Sequence, residues 1–216
     1  MTTDELHPAE AVNPGPVTEP RQAATVILLR GGSDELEVLL VKRNPASRFM
    51  GGAWVFPGGA LDKADGVDEA GQKTAAAREL REEARVTLPD PDALVKFSRW
   101  ITPAEVVIRF DTHFFLAHVP DGAAPAVDGE ECVDLGWFTP ARALAAHRDG
   151  EILLVFPTIK HLEQLGSFGS AEELLAYARG REVKPVQPKV LMSGETARVV
   201  LPGEPGYEDP ESPNAE

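Results

Sequence analysis

Arg78-Glu79-Leu80-Arg81-Glu82-Glu83 places three carboxylates at i, i+3 and i+4, positions that share one face of a helix. Like charges that close repel, so the arrangement costs stability unless a cation lies between them. Upstream, Phe56-Pro57-Gly58-Gly59 reads as a sharp turn that brings bare backbone into the open. A double-glycine turn followed by a tri-carboxylate helix suggests a divalent metal held against a phosphate, the equipment of a metal-dependent phosphoanhydride hydrolase. On that reading Glu79 and Glu83, one turn apart, form the inner-sphere pair. Glu82 binds a second ion or orients the attacking water, and the Gly59 carbonyl is a further ligand. Mg²⁺ or Mn²⁺ suits such an oxygen set.

The elements around these residues must hold them together. Ala23 to Arg30 is a continuous apolar run, a buried strand, and Gly31 to Asp34 turns it back into a second strand from Leu36 to Lys42. Ala53 to Phe56 is a short strand ending at Pro57. The acidic helix runs from Asp68 or Gln72 to about Arg85, favoured by alanines at 75, 76 and 77 and ended by Leu88-Pro89-Asp90-Pro91. Leu94 to Ile101, Val106 to Val119 and Cys132 to Phe138 read as strands. Pro140 to Ala146, Thr158 to Leu165 and Ala171 to Arg179 read as short helices. Strands on both sides of one central helix, with more helices at the end, indicate a mixed α/β (α+β) sandwich rather than a regular βαβ array.

Charge narrows the partners. The net charge is −14, and nine of the acids lie before Arg21 or after Pro202, in segments without Lys or Arg. The remaining body carries no basic stripe for a nucleic-acid polymer, yet a local metal and a few arginines suffice for a small anion. No apolar run approaches a bilayer span of ~20 residues, so no membrane partner is expected. Met1 to Pro20 lacks the basic and apolar regions of a signal peptide, and the terminal Pro-Asn-Ala-Glu is neither a peroxisomal nor a prenylation signal. The single cysteine, Cys132, excludes an internal disulfide and reads as buried and inert. A cytoplasmic location is the expectation.

With these residues the chain resembles a Nudix hydrolase. Arg78, Glu79, Leu80, Glu82, Glu83 and Val86 follow the second half of that family's box in order, and Gly59 fits its opening glycine. The resemblance implies the family's α/β/α sandwich with a mixed sheet and a C-terminal helical extension. The implied divisions are a disordered tail over 1–21, the hydrolase domain over 22–185 with C-terminal helices from about 141, and an extension and polar tail over 186–216. It also implies Glu79 as general base, Arg78 holding a loop carboxylate in support of catalysis, and a homodimer. Two features depart from the pattern. Arg85 stands where the family has glycine, which alters the helix's C-terminal turn. An insertion between Gly59 and Arg78 displaces the middle Glu, leaving Asp65, Asp68 or Glu69 to stand in for it.

A narrower resemblance lies just upstream. Arg48, Gly52 and Phe56-Pro57-Gly58-Gly59 are similar to the extension of Nudix enzymes that cleave coenzyme A, although Val41 to Asn44 lacks that signature's Thr/Ser residues. Phe49 to Gly52, Trp100 to Pro103, Arg109 to Thr112 and Gly136 to Pro140 resemble the branch that includes the peroxisomal coenzyme A diphosphatases of animals. These imply a small-molecule nucleoside-diphosphate substrate, coenzyme A or acyl-coenzyme A, cleaved to 3′,5′-ADP and a phosphopantetheine. ADP-ribose, NADH or a dinucleotide is the alternative. A non-catalytic ligand-binding regulator on the same fold is the alternative of another class, disfavoured by the presence of all three glutamates.

The remaining candidates are weighed on their residue types. Arg48, Gly58, Gly59 and Phe56 are the candidate substrate-binding residues, Arg48 as a grip on phosphate. Glu130 and Glu131 could supply an additional carboxylate, against the plainer reading of surface loop acids. Phe49, Met50 and Trp54 could line a pocket for a base or acyl chain, with core packing the default for Trp54. His113 and Asp111, on an aromatic strand, read as packed rather than catalytic.

Overall fold

The computed structural model describes residues 13, 15–31, 35–193 and 196–208. The first apolar run forms β1 (Arg21–Arg30), which pairs antiparallel with β2 (Glu37–Arg43) as the expected hairpin. β1 begins two residues earlier than its apolar pattern suggests. It is buried on both faces, with Ala24, Val26 and Leu28 in one core cluster and Ile27 and Leu29 in the other. That explains a continuous rather than alternating hydrophobic run.

Short strands follow, β3 (Ala53–Val55) and β4 (Gly58–Ala60), and then helix α1 (Glu69–Ala84). Asp68 caps α1, its side chain accepting the Gly71 N–H at 2.9 Å. Next come β5 (Val95–Ile101), β6 (Phe110–His118) and β7 (Cys132–Phe138). The expected strand from Val106 starts only at Phe110, because Thr102 and Arg109 close the preceding loop. The Phe110 N–H donates to Thr102 Oγ1 at 3.0 Å, and Arg109 Nε donates to the Thr102 carbonyl at 3.1 Å.

The last third holds α2 (Pro140–Arg148), β8 (Leu153–Leu154), α3 (Phe156–Leu165), α4 (Ala171–Arg179) and β9 (Pro185–Val186). β10 (Lys189–Ser193) and β11 (Thr196–Val200) then form a separate antiparallel hairpin. The strand order is β8-β3-β2-β1-β6-β5-β9, with β4 also on β1 and β7 also on β2. The sheet is mixed, since β1 runs parallel to β6 and antiparallel to β2. Helix α1 packs one face through Ala75, Ala76, Leu80 and Ala84. Helices α2, α3 and α4 pack the other through Ala143, Ile159, Leu162, Leu165 and Leu174. This is the expected α/β/α sandwich.

The first and last described segments contact the rest of the fold. Of the tail expected to be disordered over 1–21, residues 1–12 and 14 lie outside the described residues. Asn13 and Thr18 hydrogen-bond the loop before β6, through Glu105 and Val107. In the extension, Tyr207 Oη donates to the Gln187 carbonyl at 2.8 Å, closing the segment over the β10–β11 hairpin.

Candidate active site

The double glycine is not the bend its sequence suggests. Gly58 and Gly59 are extended, inside β4, with Gly58 opposite Thr25 and Gly59 opposite Ala24 on β1. Neither has a positive φ. Their lack of a side chain serves close approach instead. A Cβ on Gly58 would meet the Ala24 carbonyl oxygen and Thr25 Cα at 2.7 Å. A Cβ on Gly59 would meet the Glu79 carboxylate at 2.5–2.8 Å. The glycines are thus what lets α1 press its acids against β4.

Glu83 is fully enclosed there, 2% exposed, with Oε2 accepting the Gly58 N–H at 2.9 Å and Oε1 lying 3.8 Å from Arg43 Nη1. Burial pushes its carboxyl up to about 7, against the lowering effect of the Gly58 N–H. Burial also raises Glu79, which the Arg78 guanidinium opposes at 2.7 Å. Arg78 itself bridges further. Its Nη2 and Nε reach Asp65 at 2.9 and 3.4 Å, and its Nη1 reaches Glu82 at 3.1 Å. Its hydrogen bond holds Asp65 below the usual carboxylate range. The loop carboxylate expected for Arg78 is therefore Asp65. Asp68 is spent on the helix cap, and Glu69 pairs with Lys96 at 3.2 Å. The cation that separates Glu79 from Glu82 in this structure is Arg78.

These groups open onto a cavity of about 380 Å³. Glu79, Glu83, Glu131, Arg43, Gly58 and Gly59 are part of its lining. Much of the rest is aromatic and apolar, including Phe49, Met50, Phe56, Trp100, Phe114 and Phe156. Arg21 stands beside it, 6.0 Å over the Phe110 ring. The segment around the start of α3, together with Pro188 and Val199 of the extension, completes the wall.

The structure sorts the sequence candidates. Glu79, Glu83, Gly58, Gly59, Phe56 and Glu131 meet at the cavity. Glu82 does not line it; its half-exposed side chain (50%) is turned to Arg78 and Arg81. Arg48 is exposed and away from the cavity, and Glu130 is an exposed loop acid. Among the described residues no three His, Cys, Asp or Glu side chains are already gathered about one point that could hold an ion. Arg78 occupies Glu79 at 2.7 Å and Glu82 at 3.1 Å.

Sequence reasoning missed Arg43 as a cavity residue. Its place follows from strand pairing that spacing does not reveal: the Gly52 N–H, just before β3, donates to the Arg43 carbonyl at 3.1 Å. Phe49 and Met50 line the cavity as expected, and Trp54 packs edge-on to Phe138 in the core, 5.4 Å between rings. Asp111 is bound bidentately by Arg99 at 2.8 and 2.6 Å. Cys132 is fully buried, and desolvation raises its thiol further from ionisation.

The chain belongs to the Nudix hydrolases: the NUDIX domain matches residues 19–156. It is 28% identical to "Putative nudix hydrolase 7" of Caenorhabditis elegans over 203 residues, 78% of this chain and 68% of that one. It is 30% identical to the human acyl-coenzyme A diphosphatase NUDT19 over 124 residues, 55% of this chain. The match spans only 33% of the human protein's length. Among solved structures, the NUDIX hydrolase from Alicyclobacillus acidocaldarius superposes with a TM-score of 0.67 at 27% identity, covering 74% of this chain and 96% of that one. No helix among the described residues is long and apolar enough to cross a membrane.

Proposed function

We propose that this protein hydrolyses the phosphoanhydride of coenzyme A or an acyl-coenzyme A, giving 3′,5′-ADP and the (acyl-)phosphopantetheine. One observation carries the reading: a single cavity joins the carboxylates of α1 to an aromatic chamber. A diphosphate set against Glu79 and Glu83 would leave room in that chamber for the base or the pantetheine side of the substrate. The similarity to an acyl-coenzyme A diphosphatase supports the same substrate class.

The residues present fit a hard divalent cation, Mg²⁺ or Mn²⁺. The carboxylates lining the cavity, Glu79, Glu83 and Glu131, offer oxygen donors, and the missing Cβ of Gly59 lets the Glu79 carboxylate lie against β4. When bound, such an ion neutralises phosphate charge and lowers the pKa of a water. In this proposal Glu79 and Glu83 hold it, with Glu82 joining when it leaves Arg78. Glu79 would receive the proton of the attacking water, its carboxylate lying at the cavity. Arg43, beside Glu83, meets a phosphate oxygen. Arg78 fixes the Asp65 loop and the rotamer of Glu79.

The test is product analysis with the full chain and Mg²⁺ or Mn²⁺ over coenzyme A, acyl-coenzyme A, ADP-ribose and NADH. Release of 3′,5′-ADP, lost on chelation and reduced at least about 10²-fold in Glu79→Gln and in Glu83→Gln, is expected. Turnover of ADP-ribose or NADH with coenzyme A left intact would remove the substrate assignment. Near-normal activity of both glutamine variants would remove the site.

A further inference from the structure

The cavity lining also contains polar groups that the proposed chemistry does not use. Helix α3 starts there, ten residues long, with Val155 at its N-cap and no side-chain cap. A first turn leaves its amides without intrahelical acceptors, and residue 157, being proline, contributes none. Thr158 lines the cavity from this turn and is only 4% exposed. Thr25 lines it from β1 and is 8% exposed. Among the described residues neither hydroxyl has a hydrogen-bond partner.

The two threonines line one cavity and are linked through shared neighbours. Thr25 is opposite Phe114 in the β1–β6 register. The Phe114 ring stacks 4.2 Å from His161, which sits one turn after Thr158 on α3. Thr25 also neighbours Gly58, which holds Glu83. So an uncapped helix start and the unpaired hydroxyls of two nearly buried threonines line the same space as the carboxylates. Both hydroxyls are open to the cavity and free to donate to a ligand there, and the positive end of a helix selects an anion.

From this geometry we infer that the N-terminus of α3, with Thr158 and Thr25, is a seat for a phosphate group of the substrate. The inference rests on the proposed substrate class and deepens it. Two phosphates of coenzyme A have the required chemistry, one in the diphosphate and the 3′-phosphate on the ribose. The seat divides the labour of the cavity. The acidic side handles the reacting phosphorus through a cation, and the α3 side holds a phosphate directly by N–H and O–H donors.

Two readouts test it. The first is an amide NMR titration of the full chain with inorganic phosphate. The Phe156 and Thr158 resonances shift in the wild type, fail to shift in Thr158→Val and recover in Thr158→Ser. The second is kinetics on coenzyme A, dephospho-coenzyme A and ADP-ribose. Thr158→Val raises KM about tenfold, the loss expected for a hydrogen bond to a charged group, while Thr158→Ser stays within about twofold. A rise on all three substrates assigns the seat to the diphosphate; a rise on coenzyme A alone assigns it to the 3′-phosphate. If Thr158→Val does not fold, Thr25→Val carries the same comparison. Resonances that ignore phosphate, or a valine variant equal to wild type on every substrate, would overturn the seat. Phosphate binding at α3 with no cleavage of coenzyme A would leave the seat standing and remove the substrate assignment instead.

Discussion

Replacing Gly59 by alanine separates what the fold needs from what the chemistry needs. Gly59 has no positive φ, so alanine brings no backbone strain. Its Cβ would lie 2.5, 2.6 and 2.8 Å from Oε1, Cδ and Oε2 of Glu79, where ordinary contact begins near 3.4 Å. The carboxylate must therefore retreat by roughly 0.6–0.9 Å, swinging on a flexible side chain. Misplacing a reacting group by about 1 Å costs on the order of 10²-fold in rate, or about 2.7 kcal/mol of barrier.

The cost in stability is small, under about 1 kcal/mol, because only the far end of one side chain moves. Gly58→Ala is the internal control. Its Cβ would meet the Ala24 carbonyl oxygen and Thr25 Cα at 2.7 Å, which belong to the central strand and cannot yield. Overpacking of that kind costs about 1–3 kcal/mol, and each kcal/mol lowers Tm by about 2–4 °C in a protein of this size. Thermal melts and turnover on the same preparations should give a stable, slow Gly59→Ala and an unstable Gly58→Ala. A Gly59→Ala protein that turns over normally, or melts as early as Gly58→Ala, would refute the claim that this glycine exists to admit the Glu79 carboxylate.

Three further outcomes follow from the same geometry. Arg43→Ala should raise KM about tenfold, while Arg48→Ala stays within about twofold, since only Arg43 lines the cavity; steady-state kinetics of the two variants decide it. Arg78→Ala should cost about 1–3 kcal/mol in denaturant unfolding by leaving Asp65 without its bidentate partner. Arg85→Gly should stabilise by about 1 kcal/mol in the same assay, because Arg85 holds a left-handed φ of 56° at the end of α1.

Much of this architecture is written locally in the chain, and the exceptions share a cause. The β1 run, the Asp68 cap, the alanine-rich body of α1 and the exact extent of β7 follow from periodicity and capping chemistry. Arg85 shows the departure from a family glycine being absorbed: the residue changes and the left-handed backbone stays. The double glycine misleads because Gly-Gly carries a turn propensity that tertiary contact overrides; its β4 conformation is decided by β1 on one side and Glu79 on the other. The choice of Arg43 over Arg48 depends on how a loop leaves a strand, which a one-dimensional spacing does not encode. The β10–β11 hairpin is likewise missed, because its segment has weak alternation and is fixed by contacts such as Val190 N–H to Glu105 at 3.4 Å.

The buried Glu83 is where the physical argument is most exposed to measurement. Its folded pKa of about 7 lies above the ordinary carboxyl value of 4.5, so the folded metal-free protein holds that proton more tightly than the unfolded chain. The resulting stabilisation is fully present below about 4.5 and is lost as pH rises through about 7. His113 and His161 act in the opposite sense. Burial lowers both to about 4, so their contribution is present above 6.5 and fades as pH falls toward 4. The wild-type curve alone mixes these effects, and a difference isolates the glutamate. Without metal, Glu83→Gln should gain stability relative to wild type as pH rises from 4.5 to above 7. Added Mg²⁺ or Mn²⁺ should reverse the order at high pH, because a bound cation favours the ionised carboxylate that glutamine lacks. Melts across this range with and without metal decide the matter. A difference that stays flat with pH in the metal-free protein would mean that Glu83 is not held in the dry, α1-against-β4 environment on which its proposed role depends.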